Sequence, residues 1–312
     1  MESKVGLFVN SVEGYQGCIV AEVKQAAARE GLEVEVFHAG YNAPQQAQDM
    51  VRFANRNADK RLCIFVIPEA DAIRDGDIES DPTFHLAERV LQKGVGLIML
   101  NHGREDLITA LRARHPELPV TLVAIDNVEF GRMQGRQLRA LVPKGGTVLC
   151  VRGHQFDTAC RDRTNGMREE LRAVSGIVVE EIDARWDADL AEPGVYKWIT
   201  SPNRRQSALH AVVAQNDHMG QAAKQALLRA AKDVGRPELA HVPILGGDGL
   251  PDFGLRWVRE GILTATVCVT LPGALAVEQL AQYWRSGTPL PAVTKSPVRS
   301  YPELSSLRPL SG

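Results

Sequence analysis

Short, uninterrupted apolar runs recur along the chain, separated by longer amphipathic stretches, and this alternation is what most restricts the fold. Val5–Val9, Leu32–Phe37, Leu62–Ile67, Gly96–Leu100 and Val120–Ile125 read as strands in the first half. Thr147–Val151, Ile177–Ile182, Ala211–Ala214, Pro243–Leu245 and Leu263–Val269 read as strands in the second. Most of these runs are apolar throughout rather than at every other position, the pattern of strands covered on both faces, as in parallel sheets. The intervening segments carry helical spacing: in Gln16–Arg29, for example, Ile19, Val20, Val23, Ala26 and Ala27 form one stripe, and Gly31 follows where a helix-terminating glycine belongs. Further helices are expected over 43–55, 83–92, 107–114, 132–141, 159–174, 190–200, 219–231, 255–260 and 273–284. A βαβα rhythm with such strands implies α/β architecture with doubly wound parallel sheets. The tail from Ser286 to Gly312, rich in Pro and Ser, is expected to lie extended over the surface.

At 312 residues the chain can form two domains with real cores. A net charge of −2 leaves no electrostatic footprint for nucleic acid. The five cysteines, Cys18, Cys63, Cys150, Cys160 and Cys268, show no CxxC spacing, and three sit inside apolar runs; they are expected to be buried small hydrophobes, not a disulfide framework. No apolar run approaches the ~20 residues that span a bilayer. The opening MESKVGLFVNS lacks the pattern of an export signal, so a cytoplasmic location is expected unless such a signal precedes Met1. A Gly-rich phosphate loop, a G-x-S-x-G elbow and an HExxH pair are all missing from the sequence, and no enzyme activity, cofactor or metal is expected.

Ligands of open parallel sheets bind beyond the carboxyl ends of strands, and polar residues collect there. Asn10, Ser11, Tyr15 and Gln16 follow the first strand; Asn101 and His102 the fourth; Gly153, His154, Gln155, Phe156, Asp157 and then Arg161 the strand at 147–151. Asp183 and Trp186 follow 177–182, Gln215, Asn216 and Asp217 follow 211–214, Asp248 follows 243–245, and Thr270 follows 263–269. Carboxylates, amides and guanidinium groups can each engage neighbouring hydroxyls, and flat rings suit the apolar face of a sugar. Plainer roles stand beside these. Asp217 is read as the cap of the following helix, with Asn216 either cap or ligand partner; Gly246 to Gly249 would also serve as a tight turn. Of Arg161, Arg163 and Arg168 on one helix, only Arg161 is read as facing the ligand, the others as solvated.

Several stretches together resemble the sugar-binding branch of the type I periplasmic binding proteins. Ala124 to Gly135 (AIDNVEFGRMQG) resembles the family's D-N-x-x-x-G-x-x-x-G segment; Gly153 to Gly166 is similar to the loop and helix that carry a ligand-gripping arginine. Val212 to Met219 (VVAQNDHM) resembles the A-x-N-D-x-M strand end, and Gly247-Asp248-Gly249 and Ala265-Thr266-Val267 before Leu271-Pro272 resemble two further signatures. The resemblance implies two doubly wound parallel-sheet lobes joined by three crossover strands, one holding residues 1–126 and 271–293, the other 127–270 and 294–312. It implies hinge closure around a small polar ligand, with Asn216 and Asp248 as direct hydrogen-bond partners, Arg161 as a second anchor and Tyr15 and Trp186 as walls. Gln16, Asn101, His102, His154 and Thr270 complete the set. Two departures stand out: Asn101-His102 where the family carries Asp-Arg, and Tyr15-Gln16 where it carries two aromatics. The neutral Asn leaves one fewer charge-assisted hydrogen bond. The implied function is capture of a sugar for ABC-type import, with membrane transporter subunits as partners, a monomeric state and a periplasmic location; the alternative is a ligand sensor acting on a signalling partner. A LacI-type repressor is disfavoured, as no helix-turn-helix precedes Val5.

Overall fold

A computed structural model describes residues 3–56, 61–68, 78–101, 104–172, 175–204 and 207–309. The chain divides into two compact units, Met1–Ile125 with Thr270–Ser296, and Asp126–Val269 with Pro297–Gly312. It therefore passes three times from one unit to the other.

The first unit is built on a six-stranded sheet of β1 (Ser3–Val9), β2 (Glu33–His38), β3 (Arg61–Val66), β4 (Gly96–Asn101), β5 (Val120–Ile125) and β11 (Val293–Ser296), in the order β11-β5-β4-β3-β1-β2 with every pairing parallel. Its helices are α1 (Gly14–Glu30), α2 (Ala43–Ala54), α3 (Pro82–Leu91), α4 (Glu105–Arg114) and α10 (Pro272–Ser286). Two hydrophobic cores lie on this sheet, as parallel strands require. One gathers Phe8, Met50, Phe53, Phe84, Leu97 and Leu111; the other gathers Leu7, Ile19, Val23, Phe65, Val277 and Leu280.

The second unit repeats the plan with β6 (Gly146–Arg152), β7 (Ile177–Asp183), β8 (Ala211–Ala214), β9 (Ile244–Asp248), β10 (Ala265–Val269) and β12 (Val298–Tyr301), in the order β12-β10-β9-β8-β6-β7. Only β12 is antiparallel. Its helices are α5 (Asn127–Leu141), α6 (Thr158–Leu171), α7 (Ala188–Thr200), α8 (Asp217–Asp233) and the short α9 (Arg256–Arg259). Here too a core covers each face, one around Leu149, Val212, Met219 and Trp257, the other around Val148, Met167, Val213 and Leu245.

Two doubly wound parallel-dominated units are the architecture expected from the sequence. The tail differs from expectation. Expected to lie extended over the surface, it supplies Val293–Ser296 and Val298–Tyr301 as an edge strand to each sheet. Their apolar content is too short and broken for periodicity to register, and their partners are distant in sequence. Because Val293–Ser296 pairs whole with β5, the third crossing falls after Ser296 rather than after residue 293, and the second falls before Thr270. Among the described residues no helix is long and apolar enough to cross a membrane. Cys63, Cys150, Cys160 and Cys268 are buried free thiols and Cys18 is half-buried.

Candidate functional site

Each sheet has the order 2-1-3-4-5 counted within its unit, so each has one switch point: between β1 and β3 in the first, between β6 and β8 in the second. Chains leaving neighbouring strands in opposite directions open a crevice there. Backbone strain marks the same ends. Among the described residues the non-glycine positions with positive φ are Tyr41, Asn101, Arg185, Trp186 and Asp248. All follow or close the carboxyl end of a strand. Left-handed backbone costs a residue with a Cβ about 1–2 kcal/mol, and such strain gathers where a site must be held in one geometry.

In the first unit the strand-end groups form a neutral network. The Gln16 side-chain carbonyl accepts from the Asn10 and Ser11 N–H groups at 2.9 and 3.2 Å, tying the β1–α1 loop to the first turn of α1. Asn10, itself buried, accepts from the Gln46 NH2 at 3.1 Å, and the same NH2 donates to the Ile67 carbonyl at 3.1 Å. Gln46 thus bridges the ends of β1 and β3 at the switch point. The Tyr15 hydroxyl donates to the Asn101 side chain at 2.8 Å. Tyr15, Gln16 and Asn101 are therefore brought to the same end of one sheet. His102 lies outside the described residues.

The second unit places charge where the first places amides. Arg163 is buried on α6, its guanidinium 3.7 Å from the centre of the Phe130 ring and 5.3 Å from that of Trp186. It donates from Nε to the Asn127 side chain at 2.9 Å, from Nη1 to the Gln215 carbonyl, and lies 3.5 Å from Asp248. Burial raises the Asp248 pKa, while Arg163 and His218 pull it back down. His218, packed against Phe253 and Trp257, is held below the usual imidazole range by burial. Gln215 knits the switch point: its side-chain carbonyl accepts from Gly153 N–H at 2.9 Å, and its NH2 donates to Thr164 and to the Cys160 carbonyl.

Trp186 lies across Gly153 so closely that a Cβ there would fall 2.0 Å from the indole. Its ring N–H donates to Asp157 at 2.6 Å. Its left-handed backbone is held by the Asn216 NH2, which donates to the Trp186 carbonyl at 3.1 Å. Trp186 and Asp248 thus meet at Arg163, and Asn216 joins them through the Trp186 carbonyl.

Two expectations need correction, the solvation of Arg163 and the cap of α8. Arg161 is exposed and pairs with its neighbour Asp162, whereas Arg163, expected to be solvated, is the arginine drawn against Asp248. The reason is helical phase: Cys160, Arg163, Thr164, Met167 and Leu171 share the buried face of α6, and Arg161 points about 100° away from Cys160 per residue of turn. That spacing was readable in the sequence. Asn216, not Asp217, caps α8, accepting from Met219 N–H at 2.8 Å; Asp217 is one residue further in and buried. His154 is half-buried, near Asp157 and the exposed ring of Phe156, and not within the Arg163 group. Thr270 is exposed in the connection from β10 to α10. Gln46 is not singled out by the sequence, and Gln215 and Arg163 are named there without a place in the site. Amides on helices read as surface until their partners are known.

A family model described as a periplasmic binding protein domain matches residues 7–288. The chain belongs to the periplasmic binding protein family. The ribose import binding protein of Salmonella typhimurium is 30% identical over 188 residues, 59% of this chain and 59% of that one. The xylitol-binding protein of Mycolicibacterium smegmatis is 27% identical over 241 residues, 77% of this chain and 60% of that one. The chain thus matches less than two thirds of the length of these curated relatives. Among solved structures, an ABC transporter solute binding protein from Bacillus halodurans with bound myo-inositol superposes with a TM-score of 0.77 at 19% identity, covering 97% of this chain and 96% of that one. The Caulobacter myo-inositol binding protein gives 0.73 at 22%, covering 95% and 92%. At these identities the likeness is one of fold, and it is the type I periplasmic binding protein fold that the sequence motifs implied. Among the described residues no cluster of His, Cys, Asp or Glu could hold a metal ion.

Proposed function

We propose that this periplasmic binding protein captures a small polyhydroxylated ligand, a sugar or sugar alcohol, by closing strand-end groups of both units upon it, and hands it to an ABC-type importer. The observation that carries the reading is the Arg163–Asp248 pair at the end of a switch-point sheet, with Arg163 buried and Asp248 keeping 13% of its side-chain surface. A carboxylate fixed in that way accepts from two adjacent hydroxyls, and the neighbouring Trp186 ring offers a face to C–H groups. From the first unit Tyr15, Gln16 and Asn101 would contribute neutral donors and acceptors. From the second, Arg161, which is exposed, and His154, which is half-buried, would reach the ligand on closure, with Asn216 and Thr270 at the margin. Binding of the same ligand by both units is what would favour a closed state, through differential affinity. The relatives named for ribose and xylitol support this ligand class.

Calorimetry and thermal unfolding with D-ribose, xylitol, myo-inositol and D-allose test it. A ligand at 100 times its Kd should raise the unfolding free energy by about 2.7 kcal/mol, and Asp248→Ala should remove that rise. No response to any of the four, or a response that survives Asp248→Ala, counts against the assignment.

A further inference from the structure

Arg163 accounts for the side chain of Asp248 but not for its backbone. Asp248 has φ +93 and is followed by Gly249 at φ +59, a conformation that side-chain-bearing residues rarely keep without support. The support is Asp217. One oxygen of its carboxylate accepts from the Gly249 N–H at 2.8 Å and the other from the Thr266 hydroxyl at 2.7 Å. The Gly247 N–H also favours its charged form. The peptide that follows Asp248 is therefore tied to the Asp217 carboxylate.

Room for that carboxylate is made by missing side chains: a Cβ at Gly246 would lie 2.3 Å from one of its oxygens, and one at Gly254 would lie 2.1 Å from the other. Asp217 is only 1% exposed. Burial, and then the charge of Asp248, push its pKa well up, while the Thr266 and Gly249 bonds oppose them. Two carboxylates in one dry pocket are an unfavourable way to fill space, since an apolar side chain would fill it without the repulsion.

We infer that Asp217 is a positioning residue for ligand capture, clamping the peptide that follows Asp248 so that the Asp248 side chain is presented at the end of β9. The inference rests on the proposal that Asp248 binds the ligand. It adds that the geometry of Asp248 is set by a residue that does not touch the ligand.

A double-mutant cycle separates this role from packing. With D-ribose as probe, Asp217→Ala is expected to weaken binding about thirtyfold in the native chain and less than twofold in a chain already carrying Asp248→Asn. Asp217→Asn, which keeps an acceptor for Gly249 and can donate to Thr266, is expected to restore affinity to within about threefold. Amide exchange in the ligand-free protein gives an independent readout. The Gly249 N–H should exchange at least about tenfold faster in Asp217→Ala, with Leu245 on the same strand unchanged. If Asp217→Ala does not fold, Thr266→Val takes its place, with the same direction expected at Gly249. Equal affinity losses with and without Asp248, or a Gly249 amide indifferent to every substitution, overturn the inference. If the native chain binds none of the four ligands above, the ligand proposal alone falls, and Gly249 exchange still decides whether Asp217 holds the turn.

Discussion

The two units share strand order and helix placement, yet they solve the problem of a polar strand end differently. At its switch point the first unit uses amides: Gln46 bridges Asn10 and the Ile67 carbonyl, and Gln16 secures the loop. The second uses ions, with Arg163 and Asp217 buried, Asp248 half-buried between them and Gln215 lacing the backbone around them. Neutral amides lose little on leaving water if each donor finds an acceptor. Buried ions are strongly bound to their partners only while every partner is present, because removing one leaves the others uncompensated. The first unit is therefore built to tolerate substitution at its strand ends, and the second is not.

The sharpest way to break this comparison is Arg163→Met. It keeps an apolar contact for Phe130 but leaves Asp248 without a cation, and urea unfolding should show a loss of about 3–5 kcal/mol. A loss below about 1 kcal/mol would mean the ionic set is not fixed as described. The same set governs a pH trend. Burial raises both carboxyls, so the folded unit holds protons more tightly than the unfolded chain. The pair is least harmful at or below the unfolded carboxyl value near pH 4 and subtracts stability as pH rises through the raised folded values. Asp217→Asn should flatten that decline in a series of thermal unfolding curves. In the first unit Glu35 and Asp106 are lowered by Lys4 and Arg104 and give the opposite sign, losing stability as pH falls.

Smaller effects are expected among the amides. Gln46→Leu leaves the Asn10 oxygen and the Ile67 carbonyl without a donor, and should cost about 1–3 kcal/mol in chemical unfolding, with little dependence on salt. Tyr15→Phe removes one half-buried hydrogen bond to Asn101 and should cost about 0.5–1.5 kcal/mol. If either amide-side change exceeded that of Arg163→Met, the contrast between the units would be reversed.

What the sequence disclosed follows from the range over which each signal acts. Parallel strands declare themselves locally, because burial on both faces makes the whole run apolar, and the runs at 120–125 and 211–214 match their strands at both ends. The edge strands β11 and β12 are defined by partners that the sequence does not place beside them. Asn216 and Asp217 are equally good caps by composition. What decides between them is the gap left by Gly246 and Gly254, which accepts the Asp217 carboxylate. Trp186 could be located by its place after a strand, but its seat on Gly153 depends on contacts between two loops.

The tail strands bear on how such a chain is made. A ribosome that has finished residues 1–125 has produced strands and helices of the first unit but neither α10, whose Ala276, Val277 and Leu280 are fully buried in its core, nor β11, which covers the edge of β5. The second unit likewise waits for β12. Residue 296 completes one sheet and residue 298 begins the edge strand of the other, so neither unit reaches its native form before these residues have been synthesised. Until then each nascent sheet exposes an unpaired border, a hazard of association between chains that helper proteins in the cell would have to hold off.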